Sequence, residues 1–419
     1  MSTIQEPSSA GTAAFRISGF RLYQMARFCI VFGTEMQSVA VGWQVYEITH
    51  RPLDLGLTGL VQFLPGILLF LVAGHVTDRI DRRKLLTLCY VGFTISSALL
   101  LFVAFHQGAL HRASSVKPIF AILFLVGAIR AFSMPSSRAL LPELVPEDQF
   151  QNAVAWNSSI FQFATILGPA MGGILYAIFR GPATVYGVAV VAAILGALTT
   201  LRIKSQSRPR AHEPISLKAV FAGFHYIWNH KIVFGSISLD LFAVLLGGAS
   251  ALLPVYAREI LLTGPWGLGL LRSAPGVGAA IMALLLAYKP IRKRVGATML
   301  WCVGGFGVFT MVFGISRSLP LSLLSLLFVG AADMVSVVVR GVLIQIETPD
   351  EMRGRVNAVD MVFIGASNEL GEFESGLAAQ YLGAVPAVVL GGAGTLLVTI
   401  LWAWLFPQLR KADTLTRSS

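Results

Sequence analysis

Long apolar segments alternate with short polar ones along almost the whole chain. A helix needs about 20 mostly apolar residues to cross the hydrocarbon core of a bilayer. The segments of suitable length predict twelve membrane-spanning helices, at 21–47, 54–77, 84–106, 117–140, 150–179, 183–202, 232–257, 266–289, 295–315, 320–346, 355–382 and 385–407. We therefore expect an all-α membrane protein.

One long hydrophilic interruption, from Arg202 to Pro214, leaves six spans on each side. The segment after it, Ser216 to His230, has apolar residues on one side and predicts either an amphipathic helix at the membrane interface or an extension of the seventh span. The predicted organisation is an N-terminal tail at 1–20, a bundle at 21–202, a linker at 203–231, a second bundle at 232–407 and a tail at 408–419.

The two halves repeat each other. Gly59 to Gly66 in the second span matches Gly269 to Gly276 in the eighth at an offset of 210, and Arg138 to Val154 resembles Arg340 to Val359. In six-plus-six repeats, substrate sits between the halves near the membrane midplane, and the halves rock around it. The repeat therefore favours a secondary transporter.

Composition supports a membrane protein. Hydrophobic residues make up 55% of the chain and charged residues 13%, about half the charged share of a soluble domain. The three cysteines lie in apolar segments, so no disulfide framework is expected. We find no HExxH pattern, no GxSxG elbow and no phosphate-binding loop, and expect neither an enzyme, a metal nor a cofactor.

The basic residues indicate orientation rather than nucleic-acid binding. The formal net charge is +11, and the basic residues concentrate in the loop at 79–84, the linker at 202–218 and the loop at 289–294. All three segments fall on the side of the termini. Because cytoplasmic loops carry excess lysine and arginine, both termini are predicted to be cytoplasmic.

The loop after the second span resembles a signature of the major facilitator superfamily. It reads Gly74-x-x-x-Asp78-Arg79-x-Asp81-Arg82-Arg83, with Asp81 where the family pattern has glycine. The resemblance implies that Asp78 interacts with the start of the eleventh helix, near Arg353 and Arg355. We expect a cytoplasmic gate formed by Gly74, Asp78, Arg79, Arg82, Arg83, Arg340 and Asp360. A loop without a gating role is the alternative.

A second motif lies in the fifth span. Gly168-Pro169-x-x-Gly172-Gly173 resembles the antiporter motif of the same superfamily. Proline bends a helix and the glycines allow close packing, so the motif indicates either a hinge of an exporter or simple packing. Further stretches, at 41–46 and 348–357, are similar to the branch that exports enterobactin and macrolides. The branch implies two six-helix bundles in a bacterial inner membrane.

Ionisable side chains inside the membrane are costly and tend to face a cavity or a partner. Glu35 in the first span and Arg130 in the fourth both fall in the middle third of the membrane, where an ion pair is feasible. Glu35 is a candidate for proton coupling. A permanent structural pair with Arg130, and an uncoupled residue facing the cavity, remain alternatives.

The eleventh span holds Asn368, Glu369, Glu372 and Glu374 within seven residues. Glu369 and Glu372 share one helix face at a spacing of three, whereas Glu374 points elsewhere. Like charges this close cannot all ionise cheaply. The group predicts a site for a proton or a cationic substrate, with solvated carboxylates in a wet vestibule as the alternative.

The remaining polar groups in the spans are weaker candidates. Arg340 and Asp360 predict a structural or gate pair, and Asp240 and Asp333 are assigned to the cavity, as are Gln37 and Gln44. Arg272 is a further charged residue without a clear partner.

These patterns predict a proton-coupled exporter of a small organic compound, such as a siderophore or a drug-like molecule, by alternating access. The expected partners are that substrate, protons and the lipid bilayer, with no nucleic acid, and the expected state is a monomer. A nutrient importer of the same superfamily and a transporter-like sensor that moves nothing are the alternatives.

Overall fold

The computed structural model describes residues 12–106, 116–204, 217–291 and 293–412, excluding the side chains of 70, 71, 78 and 217–220. Within them the first six long helices are α1 (Ser18–Thr49), α2 (Pro52–Arg79), α3 (Arg82–Phe105), α4 (Val116–Leu144), α5 (Phe150–Phe179) and α6 (Ala183–Leu201). After the short α7 (Leu217–Asn229) come α8 (Lys231–Gly247) and α9 (Leu253–Val255), followed by a π-helix (Tyr256–Ile260). The rest are α10 (Gly264–Tyr288), α11 (Val295–Ile315), α12 (Leu319–Glu347), α13 (Asp350–Leu382), α14 (Ala384–Leu405) and α15 (Pro407–Arg410).

The helices form two six-helix bundles with equivalent packing. In the first bundle α1 packs on α5 and α6, α2 on α4, and α3 on α4 and α6. In the second, α8 packs on α13 and α14, α10 on α12, and α11 on α12 and α14. The bundles meet through α2 with α13 and through α5 with α10, which are equivalent pairs in the repeat. The predicted fold of twelve spans in two pseudo-symmetric halves is confirmed.

Ten helices of the described part are long and apolar enough to cross a membrane on length and composition alone. The two long helices that fall short are α1 and α13. Both carry buried or half-buried polar residues at membrane depth, such as Glu35 in α1 and Glu369 in α13. Their low hydropathy follows from lining the interior between the bundles, where lipid does not contact those faces.

Glycine pairs let the two bundles approach closely. A methyl group placed on Gly173 of α5 would lie 2.8 Å from the Cα of Gly269 in α10. A methyl group placed on Gly376 of α13 would lie 3.0 Å from the Cα of Gly56 in α2. Backbones this close leave no room for a side chain, so each crossing requires glycine. Both crossings lie at the end of the bundles that is far from the N- and C-termini of the chain.

We call the end of the bundles that holds residues 12–17 and 406–412 the terminal face, and the other end the opposite face. Gly59 of α2 contacts α13, whereas Gly66, seven residues later on the same side of α2, has no atom within 4 Å of an added methyl group. The contact between helices α2 and α13 therefore continues past Gly59 to Phe63, which lies 3.5 Å from the position of a methyl group on Gly365, and is absent at Gly66. Near the opposite face they remain packed.

The structure revises the register of the repeat. The two crossings relate Gly56 to Gly269, an offset of 213, and each glycine ends a Pro-x-x-Leu-Gly segment that begins at Pro52 or Pro265. The sequence match of Gly59 to Gly269 at 210 is three residues away, close to one helical turn. The offset of 210 came from a second glycine-proline pattern that lies on the same helices.

The amphipathic segment forms a separate helix. Helix α7 ends at Asn229, His230 has an extended backbone with φ −109° and ψ 97°, and α8 begins at Lys231. A methyl group on Gly223 would lie 2.7 Å from the carbonyl oxygen of Arg355, so α7 packs against the start of α13. Phe221 and Trp228 are exposed. The linker residues before α7, 205–216, lie outside the described part.

Candidate substrate cavity between the two bundles

A cavity of about 370 Å³ lies between the bundles. Helices α1, α2, α4 and α5 line it from the first bundle, and α10, α13 and the segment around Ser250 to Pro254 line it from the second. Because α1 and α13 are the most polar long helices of the chain, their charged faces meet in this cavity. Its place between the repeats is where a six-plus-six repeat binds substrate.

Five charged side chains line the cavity. They are Glu35, Arg130, Arg272, Glu369 and Glu372. None of the ion pairs within 4 Å in the described part of the chain joins any two of them. Charged groups that enclose a space without pairing with one another are available to a ligand.

The two carboxylates of α13 come together at Gly59 of α2. A methyl group on Gly59 would lie 2.6 Å from Oε2 of Glu369 and 2.7 Å from Oε2 of Glu372. The two oxygens are therefore at most about 5 Å apart, the sum of these distances. Glycine at position 59 provides the space that both carboxylates occupy. Spacing along the helix predicted their shared face, and the structure places that face on the cavity.

Glu35 and Arg130 both line the cavity, as their depth in the sequence suggested. No ion pair within 4 Å joins them in the part of the chain that the structure describes. Glu35 is held against α5, because a methyl group on Gly168 would lie 2.6 Å from its Cβ. The permanent pair considered as an alternative is absent from this conformation.

Arg272 connects the two bundles. Its Nη1 donates a hydrogen bond to Oγ of Ser38 in α1. It also interacts electrostatically with Glu369 and Glu372, as does Arg130. From the sequence, Arg272 was a charged residue with no predicted partner. The 213 offset, which aligns Arg272 with Gly59, would have placed it at the site.

The glutamines of α1 divide between two environments. Gln37 lines the cavity, and its Oε1 accepts a hydrogen bond of 2.6 Å from Ser97 of α3. Gln44 does not line the cavity: it is 1% exposed, and its Oε1 accepts a 2.5 Å hydrogen bond from Tyr186 of α6. Its assignment to the cavity was wrong, because seven residues carry α1 beyond the cavity into the packed core.

Two candidates on α13 also lie outside the cavity lining. Asn368 is exposed and Glu374 is half-buried, and neither is among the residues that line the cavity. Their neighbours Glu369 and Glu372 occupy the face toward α2. A helix turns about 100° per residue, so positions one or two residues away point elsewhere.

Comparison with known proteins assigns the chain to a family. A family model described as "Transmembrane secretion effector" matches residues 9–419. The chain belongs to this family.

Two curated relatives of this chain are named as enterobactin exporters. The enterobactin exporter EntS of Citrobacter koseri is 25% identical over 400 residues, covering 94% of this chain and 92% of the relative. EntS of Escherichia coli O1:K1 has the same identity and coverage. The resemblance to the major facilitator superfamily and to its enterobactin branch is confirmed.

Solved structures share the fold at low identity. A POT family transporter in complex with a peptide conjugate has a TM-score of 0.73 at 12% identity, covering 93% of this chain and 96% of that one. A D-xylose–proton symporter has a TM-score of 0.70 at 16% identity, covering 93% and 97%. These structures show the fold. The family match and the curated relatives make the chain a multi-pass membrane transporter of the major facilitator type rather than an enzyme, as predicted.

Asp240 and Asp333, which the sequence assigned to the cavity, belong instead to a separate cluster inside the second bundle. Arg340 pairs with Asp240 and lies 3.8 Å from Asp360, and Ser336 donates a 3.4 Å hydrogen bond to Asp240. Asp333 interacts electrostatically with Asp240 and Arg340. Neither Asp240 nor Asp333 lines the cavity. Their assignment to it was wrong, because α8 and α12 face each other inside the bundle at this depth.

The signature loop is anchored within the first bundle. Asp81, the departure from the family pattern, caps α3 by accepting hydrogen bonds from the backbone N–H groups of Arg83 (2.9 Å) and Lys84 (3.3 Å). Arg82 pairs with Glu143 of α4. Arg83 donates a 2.8 Å hydrogen bond to the carbonyl of Ile203 after α6. These residues thus do not reach the second bundle in this conformation.

The expected partners of the loop on α13 are also engaged elsewhere. Arg353 pairs with Asp350 at 2.7 Å and donates to the carbonyl of Thr348 at 3.3 Å. Arg79 is exposed, and a methyl group on Gly74 would meet no atom within 4 Å. The side chain of Asp78 lies outside the described part of the chain.

The glycine-proline motif of α5 lies where three helices meet. Methyl groups on Gly168 and Gly172 would lie 2.6 Å from Cβ of Glu35 and 2.9 Å from Cα of Met36, both in α1. Gly173 faces α10 of the other bundle, and Pro169 lines the cavity. The motif therefore packs both inside its own bundle and across the interface.

Sequence reasoning missed a polar network near the opposite face. Tyr46 of α1 donates a hydrogen bond to Glu259 of the second bundle, and Arg258 lies over the Trp43 ring at 5.9 Å. Tyr176 donates to Glu47 at 2.9 Å. In the sequence, the feature that indicates this network is the pair of adjacent charged residues Arg258 and Glu259 at the end of an apolar segment.

Proposed function

We propose that this protein is a proton-coupled exporter of a small organic compound that works by alternating access. The observation that carries the proposal is the cavity between the bundles, lined by three carboxylates and two guanidinium groups without ion pairs among them. A coupled exporter needs a group that exchanges a proton for substrate.

The pair of Glu369 and Glu372 is the main candidate for that exchange, with Glu35 as a second. Two carboxylates within about 5 Å repel each other when both are ionised, and a proton bound by one of them removes this repulsion. A cationic group of the substrate, or the guanidinium of Arg130 or Arg272, relieves the same repulsion. Binding of substrate and binding of the proton therefore compete.

The direction of transport is proposed from orientation and motif. Cytoplasmic termini make the terminal face cytoplasmic, and the side of α2 that contacts α13 at Gly59 is open at Gly66, which is nearer that face. This conformation would admit substrate from the cytoplasm. The Gly-Pro-x-x-Gly-Gly segment and the export function named for the relatives support export across a bacterial inner membrane.

In the alternate conformation the gate would form at the terminal face. We assign this gate to Gly74, Asp78 and Arg79 with the start of α13. Arg353, now paired with Asp350, is free to exchange that exposed partner for Asp78. The anchors of Arg82 and Arg83 hold the loop in place within its own bundle. The opposite face would then open at the two glycine crossings.

The substrate class follows the relatives named as enterobactin exporters: a siderophore or drug-like compound, carried by a monomer. A nutrient importer would use the same cavity with the opposite direction. A transporter-like sensor would bind without moving substrate, and should tolerate loss of the cavity carboxylates.

The test is substrate-induced proton movement in proteoliposomes with a panel of siderophores and drugs. Wild type is compared with Glu35→Gln and Glu369→Gln, with Glu147→Gln, an exposed residue between α4 and α5, as the control. We expect coupling to be lost in at least one of the two variants and kept in the control. Full coupling in both variants would overturn the carboxylate assignment, and no flux of any compound would favour the sensor.

A further inference from the structure

We infer that the substrate of this cavity is a hydrophilic zwitterion, with its cationic group at Glu369 and Glu372 and its anionic group at Arg130. The inference rests on the proposed function, because it assigns a ligand to the proposed transport cavity, and it narrows the proposed substrates from siderophores and drug-like compounds in general to those that carry both charges. It concerns the chemistry of the ligand, and holds whether transport is inward or outward.

Half of the described residues that line the cavity are polar or charged, and none of them is aromatic. Phenylalanine, tyrosine and tryptophan make up 10% of the chain, and sites for apolar compounds are lined mainly by hydrophobic and aromatic side chains. Here small and aliphatic residues share the lining with hydroxyl and amide groups, from Thr34, Gln37, Ser38, Thr58, Gln62, Thr165 and Ser250. The lining favours a ligand that forms many hydrogen bonds over a flat aromatic one.

The cationic subsite is the pair of carboxylates Glu369 and Glu372. Their Oε2 atoms pack against Gly59, at 2.6 and 2.7 Å from the position of a methyl group on that residue, which places the two oxygens at most about 5 Å apart. Both residues line the cavity. Two carboxylate oxygens this close can accept hydrogen bonds from one ammonium group, which donates several hydrogen bonds from one atom.

The anionic subsite is the guanidinium of Arg130. It is exposed to the cavity, and within the described residues its side chain takes part in no ion pair within 4 Å. Arg272, by contrast, is bonded to Ser38. A guanidinium binds a carboxylate through two parallel hydrogen bonds, so a ligand carboxylate satisfies donors that the protein leaves open.

The two subsites act on one ligand because the cavity is small. Its volume of about 370 Å³ is near the lower end of the range of 300–1,000 Å³ for small-molecule sites. A purely cationic ligand would leave the arginine unpaired, and a purely anionic one would leave the carboxylates facing each other. Only a ligand with both charges satisfies the whole site.

The test uses three dipeptides of nearly equal size and different charge. Alanyl-glutamine carries an ammonium and a carboxylate, its C-terminal amide carries the ammonium alone, and its N-acetyl derivative carries the carboxylate alone. Binding to the purified full-length protein is measured by calorimetry. We expect the zwitterion to bind roughly tenfold or more tightly than either derivative, because hydrogen bonds to charged groups contribute about 1.5–3 kcal/mol each.

Variants then assign each charge to its subsite. In Arg130→Gln the zwitterion should bind no better than the amide, whose own affinity stays unchanged. In the double variant Glu369→Gln, Glu372→Gln the zwitterion should bind no better than the N-acetyl derivative. Lys117→Gln at the other end of α4, and Glu147→Gln between α4 and α5, are controls that should keep the wild-type preference.

Two results would overturn the inference: no binding of the zwitterion, or tighter binding of the amide, the N-acetyl derivative or enterobactin. Failure of the proposed function is separate, because it is read from proton-driven flux in proteoliposomes. Zwitterion binding without proton-driven flux would keep the inference and reject the exporter. Proton-driven flux of enterobactin without zwitterion binding would do the reverse.

Discussion

Replacing Gly173 by alanine tests whether the crossing of α5 and α10 holds the opposite face closed. The added methyl group would lie 2.8 Å from the Cα and 2.9 Å from the backbone nitrogen of Gly269. Both neighbours are backbone atoms, which cannot rotate away as a side chain can. The crossing must widen to accept the methyl group, and it exists only while the two bundles are packed at this end.

The size of the effect follows from overpacking. Extra methyl groups in a well-packed interior cost about 1–3 kcal/mol. If this cost falls only on the conformation with the opposite face closed, the ratio of the two conformations shifts roughly 5- to 150-fold toward the open one. Alanine also favours a helix over glycine by about 1 kcal/mol, but that gain applies to both conformations.

The assay is the distance between spin labels on the two bundles at the opposite face. Lys117→Cys in α4 and Leu321→Cys in α12 are exposed and lie near this face. The three native cysteines are replaced by alanine. In Gly173→Ala we expect a larger population at the longer distance than in the otherwise identical protein.

Two glycines serve as comparisons. Gly376→Ala, at the equivalent crossing with Gly56, should shift the distances in the same direction, because its methyl group would lie 3.0 Å from a Cα. Gly187→Ala in α6 meets no atom within 4 Å and should have no effect. An unchanged distribution in Gly173→Ala, or an equal shift in Gly187→Ala, would refute the reasoning.

Two further predictions concern stability. Arg340→Met leaves the buried Asp240 without its counter-charge and should destabilise the protein by about 3–5 kcal/mol. Arg353→Met breaks the exposed pair with Asp350 and should cost less than about 1 kcal/mol. Equal unfolding temperatures of the two variants would contradict this. Asp81→Ala removes the cap of α3 and should cost about 1 kcal/mol, measured as faster amide hydrogen exchange in the first turn of α3. Asp81→Asn should keep slow exchange, because asparagine also caps helices. Equal exchange rates in the two variants would count against the cap.

The sequence by itself determined the spans and the fold. Each crossing depends on the hydropathy of about 20 consecutive residues, a local property. The predicted bounds differ from the helices by a few residues, except in the seventh span, where α8 ends at Gly247 and shorter helices continue to Ile260. Motifs such as Gly74 to Arg83 carried the family resemblance in the same local way. Charged residues within the first and eleventh spans also indicated a cavity or a partner at those places.

Which polar residue faces the cavity was decided only by the tertiary structure. Glu369 and Asn368 are neighbours in the chain, yet only Glu369 lines the cavity, because rotation of a helix about its axis depends on what it packs against. Asp240 looked like a cavity residue until Arg340 was found beside it, 100 positions away in the sequence. A charge inside the membrane requires a partner or a cavity, and the chain alone does not show which of the two is near.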